Sequence, residues 1–239
     1  LPVHWGGASP DMKKILQIAK KHKLKVVEDA CMGIGAKIKN KKPGSFGHVN
    51  AMSMHPLKSL NVMGDGGMVL TNNNKIASWC KRYRNHGMID RDHIKNWGVN
   101  MRLQPLQAVV AGIELKKVKK IVKARNKNAK IMDKHLSTIP NVTLPERKKE
   151  YLETFALYMA RFKKRDKLKS YLLKNGIEVK IHYPIPLHLQ NAAKKMGYKK
   201  GDFPVAEKQA NDLLTLPIHQ YLNKQQLYFI INKIKKFYK

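Results

Sequence analysis

Three short runs hold the side chains best suited to chemistry: Glu28-Asp29-Ala30, Ser53-Met54-His55-Pro56-Leu57-Lys58 and Gly64-Asp65-Gly66-Gly67. A carboxylate at one strand end and a lysine beyond another make either a buried ion pair or a catalytic pair. A lysine in a glycine-rich pocket can have its pKa lowered and form a Schiff base with an aldehyde. Pyridoxal phosphate asks for three groups: an amine for its aldehyde, an anion beside its ring nitrogen and donors for its phosphate. Lys58, Asp29 and Ser53 could supply them. The alternative reading makes Lys58 one surface lysine among 40, since lysines are mostly exposed.

Such groups must be held by regular elements. Ser9-Pro10-Asp11 opens a helix, with Ser9 as N-cap and Pro10 in the first turn. Met12, Ile15, Leu16 and Ala19 keep helical spacing, and the lysine-rich stretch 20–23 ends it. Residues 24–28 read as an apolar strand with Asp29 at its C-terminal end, 49–54 as a second strand and 68–71 as a third. A small hairpin is expected around Asn40-Lys41-Lys42. Residues 74–84 predict a helix closed by His86-Gly87. The alternation argues for an α/β layer architecture, in which ligands sit at the C-terminal ends of strands. Asp29 and the segment 53–58 both fall there. Residues 104–116 and 118–136 predict two long helices. Beyond Pro140 the pattern changes to strands at 142–144, 154–162, 178–182 and 213–216, with helices at 167–174 and 224–238. That predicts an α+β second domain.

Composition narrows the function classes. The chain has 239 residues, 43% of them apolar, enough to bury a core and to exclude disorder for most of its length. Two cysteines exclude a disulfide scaffold. No apolar run approaches a membrane span, and Leu1 opens no secretory signal. The first residue is not Met and the chain opens directly into structured-looking sequence, Pro2-Val3-His4-Trp5-Gly6, so a fragment of a longer protein is expected. The net charge is +32, which invites a nucleic-acid reading. Lysine outnumbers arginine 40 to 8, however, and base readout favours arginine. The lysines are spread along the chain, and the densest run, 116–123, keeps apolar residues at 115, 118, 121 and 122. It reads as a helix with a solvated basic face. A surface that attracts anionic ligands is expected, not a specific nucleic-acid site.

The motifs also carry a family resemblance. Val27-Glu28-Asp29-Ala30, Gly44-Ser45-Phe46-Gly47, Ser53 to Leu60, Gly64 to Asn72, Arg84-Asn85-His86-Gly87, Asn100-Met101-Arg102-Leu103 and His182-Tyr183-Pro184-Ile185-Pro186-Leu187-His188 resemble the DegT/DnrJ/StrS sugar aminotransferases in order and spacing. The resemblance implies the fold type I architecture of pyridoxal-phosphate-dependent transferases, a three-layer α/β/α large domain plus a smaller α+β domain. It implies transfer of an amino group from L-glutamate to a 3- or 4-keto sugar on a nucleotide diphosphate. The pathway implied is amino-sugar synthesis for a surface polysaccharide such as lipopolysaccharide, in the cytoplasm. On this basis residues 1–116 are expected to be the C-terminal part of the large cofactor-binding domain, 117–138 a bridging helix and 139–239 the small domain. The N-terminal third, which supplies a phosphate turn and a stacking aromatic ring in the family, is expected to be missing, so this fragment alone should bind the cofactor poorly.

Residue by residue, Lys58 matches the lysine that binds the cofactor's aldehyde and then shuttles a proton. Asp29 matches the aspartate that keeps the ring nitrogen protonated, and Ser53 a hydroxyl on the phosphate. Asn100 matches an asparagine that reaches the phosphate of a neighbouring subunit, which implies a homodimer with shared active sites; Arg102 beside it could help bind an anion. His182 and Tyr183 match a small-domain segment near the sugar nucleotide. His4 matches a histidine after a Pro-Val strand, and a hydrogen-bonded structural histidine is the equal alternative. Three departures stand out. Met32 replaces a glutamine near the cofactor's phenolic oxygen, Ile34 replaces a histidine or serine, and Phe155-Ala156-Leu157 replaces Tyr-His-Leu. They leave two other readings open, a degenerate non-catalytic paralogue and a dehydratase of the same fold. The dehydratases carry histidine at the position of Lys58. Cys31 and Cys80 have no metal spacing and no helical H-x-x-x-H pair is present, so no metal site is expected. Cys31 reads as a small buried filler, and Trp5, Trp79 and Trp97 as core or interface residues.

Overall fold

A computed structural model describes residues 1–239. In chain order the elements are α1 (Met12–Lys21), β1 (Val27–Asp29), β2 (Lys37–Ile38), β3 (Val49–Ser53), β4 (Gly67–Leu70), α2 (Asn74–Tyr83), α3 (Pro105–Leu115) and α4 (Val118–Leu136). Then follow β5 (Val142–Thr143), β6 (Tyr151–Leu152), β7 (Tyr158–Phe162), α5 (Arg165–Lys174), α6 (Pro204–Asp212), β8 (Leu213–Leu216) and α7 (Lys224–Phe237). They form two compact units, one of residues 1–124 with 148–156, the other of 125–147 with 157–239.

In the first unit β1 runs parallel to β3, with Asp29 opposite Ala51, and β4 runs antiparallel to β3. Val3 pairs in parallel with Asp29 on the other side of β1. The segment through Pro2 and His4 is tied there by Asp29 N–H to the Pro2 carbonyl and His4 N–H to the Asp29 carbonyl, both at 2.9 Å. Asp29 and Ser53 are therefore the last residues of neighbouring parallel strands, at one edge of the sheet. Beneath this edge Ile34, Met54, Leu60, Val62, Val118 and Val122 make an apolar cluster. Ile34, where the family resemblance expects a polar residue, is part of that core.

Helix α1 begins two residues later than the sequence predicts. Ser9 is not its cap: the Ser9 hydroxyl lies 3.0 Å from His4 Nδ1, and Asp11 Oδ1 accepts the Lys14 N–H instead. The helix closes through Lys23, which sits at φ 52°, with Leu24 N–H reaching the Ala19 carbonyl at 2.8 Å. Leu24 thus belongs to the helix end and not to the strand. Lys41 pairs with Ile38, as in a small hairpin, but the ladder partner of β2 is β6, over a hundred residues away.

In the second unit β7 is central, antiparallel to β5 and to β8. Tyr158 and Phe162 of β7 are buried, as are Leu168 and Leu172 of α5, Leu214 and Leu216 of β8, and Leu227, Ile231 and Ile234 of α7. The Tyr158 hydroxyl donates to Asp133 Oδ1 at 2.6 Å, and Arg147 Nε reaches the same carboxylate at 3.1 Å. Burial, then the Asp133 charge, pushes the Tyr158 hydroxyl well above its ordinary pKa. The strand expected at 178–182 does not form; only Lys180 pairs with Thr215. The strand expected at 154–162 starts at Tyr158, because Phe155 sits at φ 48° and breaks the extended run.

Candidate active site

Two adjacent carboxylates on β1 have different surroundings, because neighbouring strand residues point to opposite faces. Glu28 is fully buried and serves as a hub. Its carboxylate accepts from His4 Nε2 at 2.8 Å, Gly44 N–H at 2.9 Å, and Phe46 and Gly47 N–H at 2.6 Å each. Burial alone would push this carboxyl up; the bonds from His4, Gly44, Gly47 and Phe46 outweigh it and hold it below its ordinary value. The Gly44-Ser45-Phe46-Gly47 turn therefore exists to cap a buried anion. Gly44 takes φ 83°, which glycine adopts without strain. His4 is buried too, with Nε2 on Glu28 and Nδ1 on Ser9. Both of its ring nitrogens are thus engaged inside this network.

Asp29 is half-buried at the sheet edge, and its Oδ1 accepts the Cys31 N–H at 3.1 Å. The Cys31 thiol is pushed up to about 11 by burial first and by Asp29 second, while the positive charge of Lys58 opposes the shift. Asp29, at the end of β1, and Lys58, in the loop beyond β3, thus act on the same thiol in opposite directions. Lys58 is half-buried, and its ammonium has no hydrogen-bond or ion-pair partner. Its backbone is set by a tight turn in which Lys58 N–H reaches the His55 carbonyl at 2.9 Å. Ser53 Oγ accepts the His55 N–H at 3.3 Å, so the hydroxyl proton remains available to an acceptor. Met54 N–H bonds Gly66, and Val62 N–H bonds Met54, pinning the loop across the glycine turn. The Met32 carbonyl accepts the Thr154 hydroxyl at 2.8 Å, an anchor no sequence pattern reveals. A cavity of about 360 Å³ lined by Lys20, Lys25, Val26 and His48 lies at the opposite, N-terminal edge of these strands and holds none of the site residues.

Asn100 and Arg102 come together on an exposed turn. Arg102 Nε donates to Asn100 Oδ1 at 2.9 Å and Nη1 to Asn85 Oδ1 at 3.2 Å. Gly87 closes the turn at φ 77°, where a Cβ would run into the Asn96 carbonyl. Trp97 on this turn is 89% exposed and so is no core residue of the chain. Trp79 stacks on Tyr83 within α2 at 4.6 Å. His182 and Tyr183 lie in the second unit, His182 half-buried with Nδ1 2.8 Å from Thr215 Oγ1 and Tyr183 exposed. No three His, Cys, Asp or Glu side chains are placed to hold a metal ion, and no helix is long and apolar enough to cross a membrane.

Asp29 and Ser53 close neighbouring parallel strands at their C-terminal edge, and the loop that follows β3 carries Lys58. That fold and edge define the type I class of pyridoxal-phosphate-dependent transferases. Residues 1–235 match the DegT/DnrJ/EryC1/StrS aminotransferase family, and the chain belongs to it. It is 36% identical, over its whole length, to a pleiotropic regulatory protein of Geobacillus stearothermophilus, covering 65% of that protein. It is 34% identical to a UDP-N-acetyl-3-dehydro-alpha-D-glucosamine 3-aminotransferase of Acidithiobacillus ferrooxidans, covering 99% of this chain and 63% of that one. The crystal structure of S. venezuelae DesV in complex with a ketimine intermediate superposes with a TM-score of 0.95 at 32% identity, covering 99% of this chain and 64% of that one. The chain thus spans a little under two thirds of the length of these relatives.

Proposed function

We propose that the protein is a pyridoxal-phosphate-dependent aminotransferase that moves an amino group from L-glutamate to a 3- or 4-keto sugar carried on a nucleotide diphosphate. The observation that supports the reading is the placement of Asp29 and Ser53 at the ends of neighbouring parallel strands, with the half-buried, unengaged Lys58 amine on the loop that follows β3. These groups fit the cofactor: Lys58 Nζ is an unengaged amine for its aldehyde, Asp29 a carboxylate without an ion-pair partner for its ring nitrogen, and Ser53 a hydroxyl for its phosphate. The bound cofactor supplies a conjugated ring that takes up the electron pair released when a carbon–hydrogen bond beside nitrogen breaks. Asp29 holds a proton at the ring nitrogen and so keeps the ring electron-poor. Lys58 Nζ accepts the proton from one carbon and returns it to the next. Cys31 stays a neutral thiol at physiological pH and does not compete for that proton. Glu28 and His4 hold Asp29 in place through β1.

Asn100 and Arg102 are exposed and joined to each other, which supports an anion-binding role toward a second protomer. Trp97, Ile94 and Met101 expose apolar surface on the same segment, as a homodimer contact would. His182 and Tyr183 are assigned to the sugar-nucleotide side. Amino-sugar synthesis for a surface polysaccharide, in the cytoplasm, is the setting that this reaction fits.

The test uses protein from its whole reading frame, loaded with cofactor, reduced with borohydride and digested. The expected result is a cofactor mass increment on the Lys58 peptide, absent in Lys58→Ala. L-glutamate with UDP- or dTDP-linked keto hexoses should then yield the amino sugar by mass spectrometry. An increment on another lysine, or one that survives Lys58→Ala, would sink the assignment. A second reading, a regulatory paralogue without turnover, draws on Met32 and on the regulatory name of the Geobacillus relative. Trapped cofactor with no amino-sugar product from any keto hexose would favour it.

A further inference from the structure

What His182 can offer a ligand depends on which ring nitrogen bears the proton. Its Nδ1 lies 2.8 Å from the Thr215 hydroxyl. Thr215 is buried in β8, opposite Met159 of β7. Its backbone is held on the other side as well, with Thr215 N–H on the Lys180 carbonyl at 2.8 Å and Lys180 N–H on the Thr215 carbonyl at 3.3 Å. The hydroxyl therefore sits on a fixed backbone, and His182 is its one hydrogen-bond partner. A buried O–H that donates to nothing is costly, whereas an unused acceptor lone pair is cheap. The hydroxyl thus donates, Nδ1 accepts, and the imidazole proton resides on Nε2. The edge contact of the His182 ring with Tyr183, centroids 5.5 Å apart and planes at 72°, restrains the ring further.

We propose that Thr215 is a positioning residue that fixes His182 as an Nε2–H donor, so that the imidazole gives a hydrogen bond to an oxygen of the nucleotide sugar. This rests on the reading of His182 as a residue of the sugar-nucleotide side. Valine has nearly the shape of threonine but cannot donate; serine can.

The test compares wild type, Thr215→Val and Thr215→Ser in cofactor-loaded protein from the whole reading frame with 15N-labelled histidine. Long-range proton–nitrogen spectra read the tautomer, and steady-state kinetics use UDP- and dTDP-linked keto hexoses. Wild type and Thr215→Ser should show the Nε2–H tautomer, and Thr215→Val a mixture. In Thr215→Val, KM for the sugar nucleotide should rise by the inverse of the Nε2–H fraction that the spectra read, about twofold for an even mixture, while kcat changes little; Thr215→Ser should restore KM. An Nδ1–H tautomer in wild type, or an unchanged tautomer in Thr215→Val, overturns the proposal. A tautomer that shifts while KM stays put overturns its ligand half and the reading of His182 beneath it. A wild type that converts no sugar nucleotide sinks the aminotransferase reading instead, and the nitrogen spectra still decide the Thr215 contact.

Discussion

Replacing Glu28 with Gln tests the buried hub directly. The substitution keeps the side chain's shape and removes its charge. The carboxylate accepts four hydrogen bonds, from His4, Gly44, Phe46 and Gly47. The glutamine oxygen can keep some of them, but its NH₂ must then face a backbone N–H. A hydrogen bond to a charged group contributes about 1.5–3 kcal/mol, and such bonds in one network do not add. Removing one member of a buried charged network costs about 3–5 kcal/mol. For a chain of this size, at about 2–4 °C per kcal/mol, Tm should fall by about 6–20 °C. Calorimetry reads the shift, and hydrogen exchange should show it centred on residues 26–30 and 44–50. The pH dependence gives a second check. The Glu28 carboxyl titrates below its ordinary 4.5 in the fold, so its stabilisation is complete above that value and is lost as pH falls through the folded value. The gap between wild type and Glu28→Gln should therefore close in acid. A Tm loss under about 3 °C at pH 7, less than about 1 kcal/mol, would refute the hub.

Three further outcomes follow from local geometry. Cys31, pushed up to about 11 from 9.0, should alkylate about a hundredfold more slowly at pH 7.5 than in the unfolded chain, with a rate that climbs tenfold per pH unit toward 11; a rate that levels off near pH 9 would contradict this. Lys23→Gly should raise the unfolding free energy by about 1 kcal/mol, read as a higher denaturation midpoint, because Lys23 holds φ 52° at the end of α1; a lowered midpoint would show that the lysine side chain does more than tolerate the turn. Gly87→Ala should cost about 3 kcal/mol or more, because of the clash with the Asn96 carbonyl, and should open residues 84–102 to limited proteolysis; unchanged protection would refute the closed turn.

Much of this architecture could be read from local pattern. Helix α4 occupies the span its apolar spacing predicts, and β8 likewise, because each buries a continuous set of side chains. Asp29 and Ser53 fall at strand ends for the same reason. What pattern could not supply was the partner of each polar group. Ser9 has the residue type of a cap, yet its hydroxyl serves His4, and Asp11 takes the cap. Residues 178–182 have strand-like composition, but only Lys180 finds a ladder partner. Glu28 and Thr215 do their work through contacts 16–33 residues away. Met32 is held by Thr154 across 122 residues. The segment 148–156 belongs with the first unit although the chain has by then entered the second, and no local signal marks that return.

The pairing of Asp29 with Ala51 has a consequence beyond the sheet itself. Glu28 and Asp29 are neighbours of like charge, and only the phase of the pleat decides which one meets the four donors and which one the solvent-facing rim. Sliding β1 along β3 by a single residue would exchange their places. The shorter acid would then be stranded short of the glycine turn, and the longer one would overreach the rim. Alignment of two backbones thus sorts a twin pair of acids into a buried girder and a rim carboxylate. A change that loosens that alignment would misplace both carboxylates without substituting either of them.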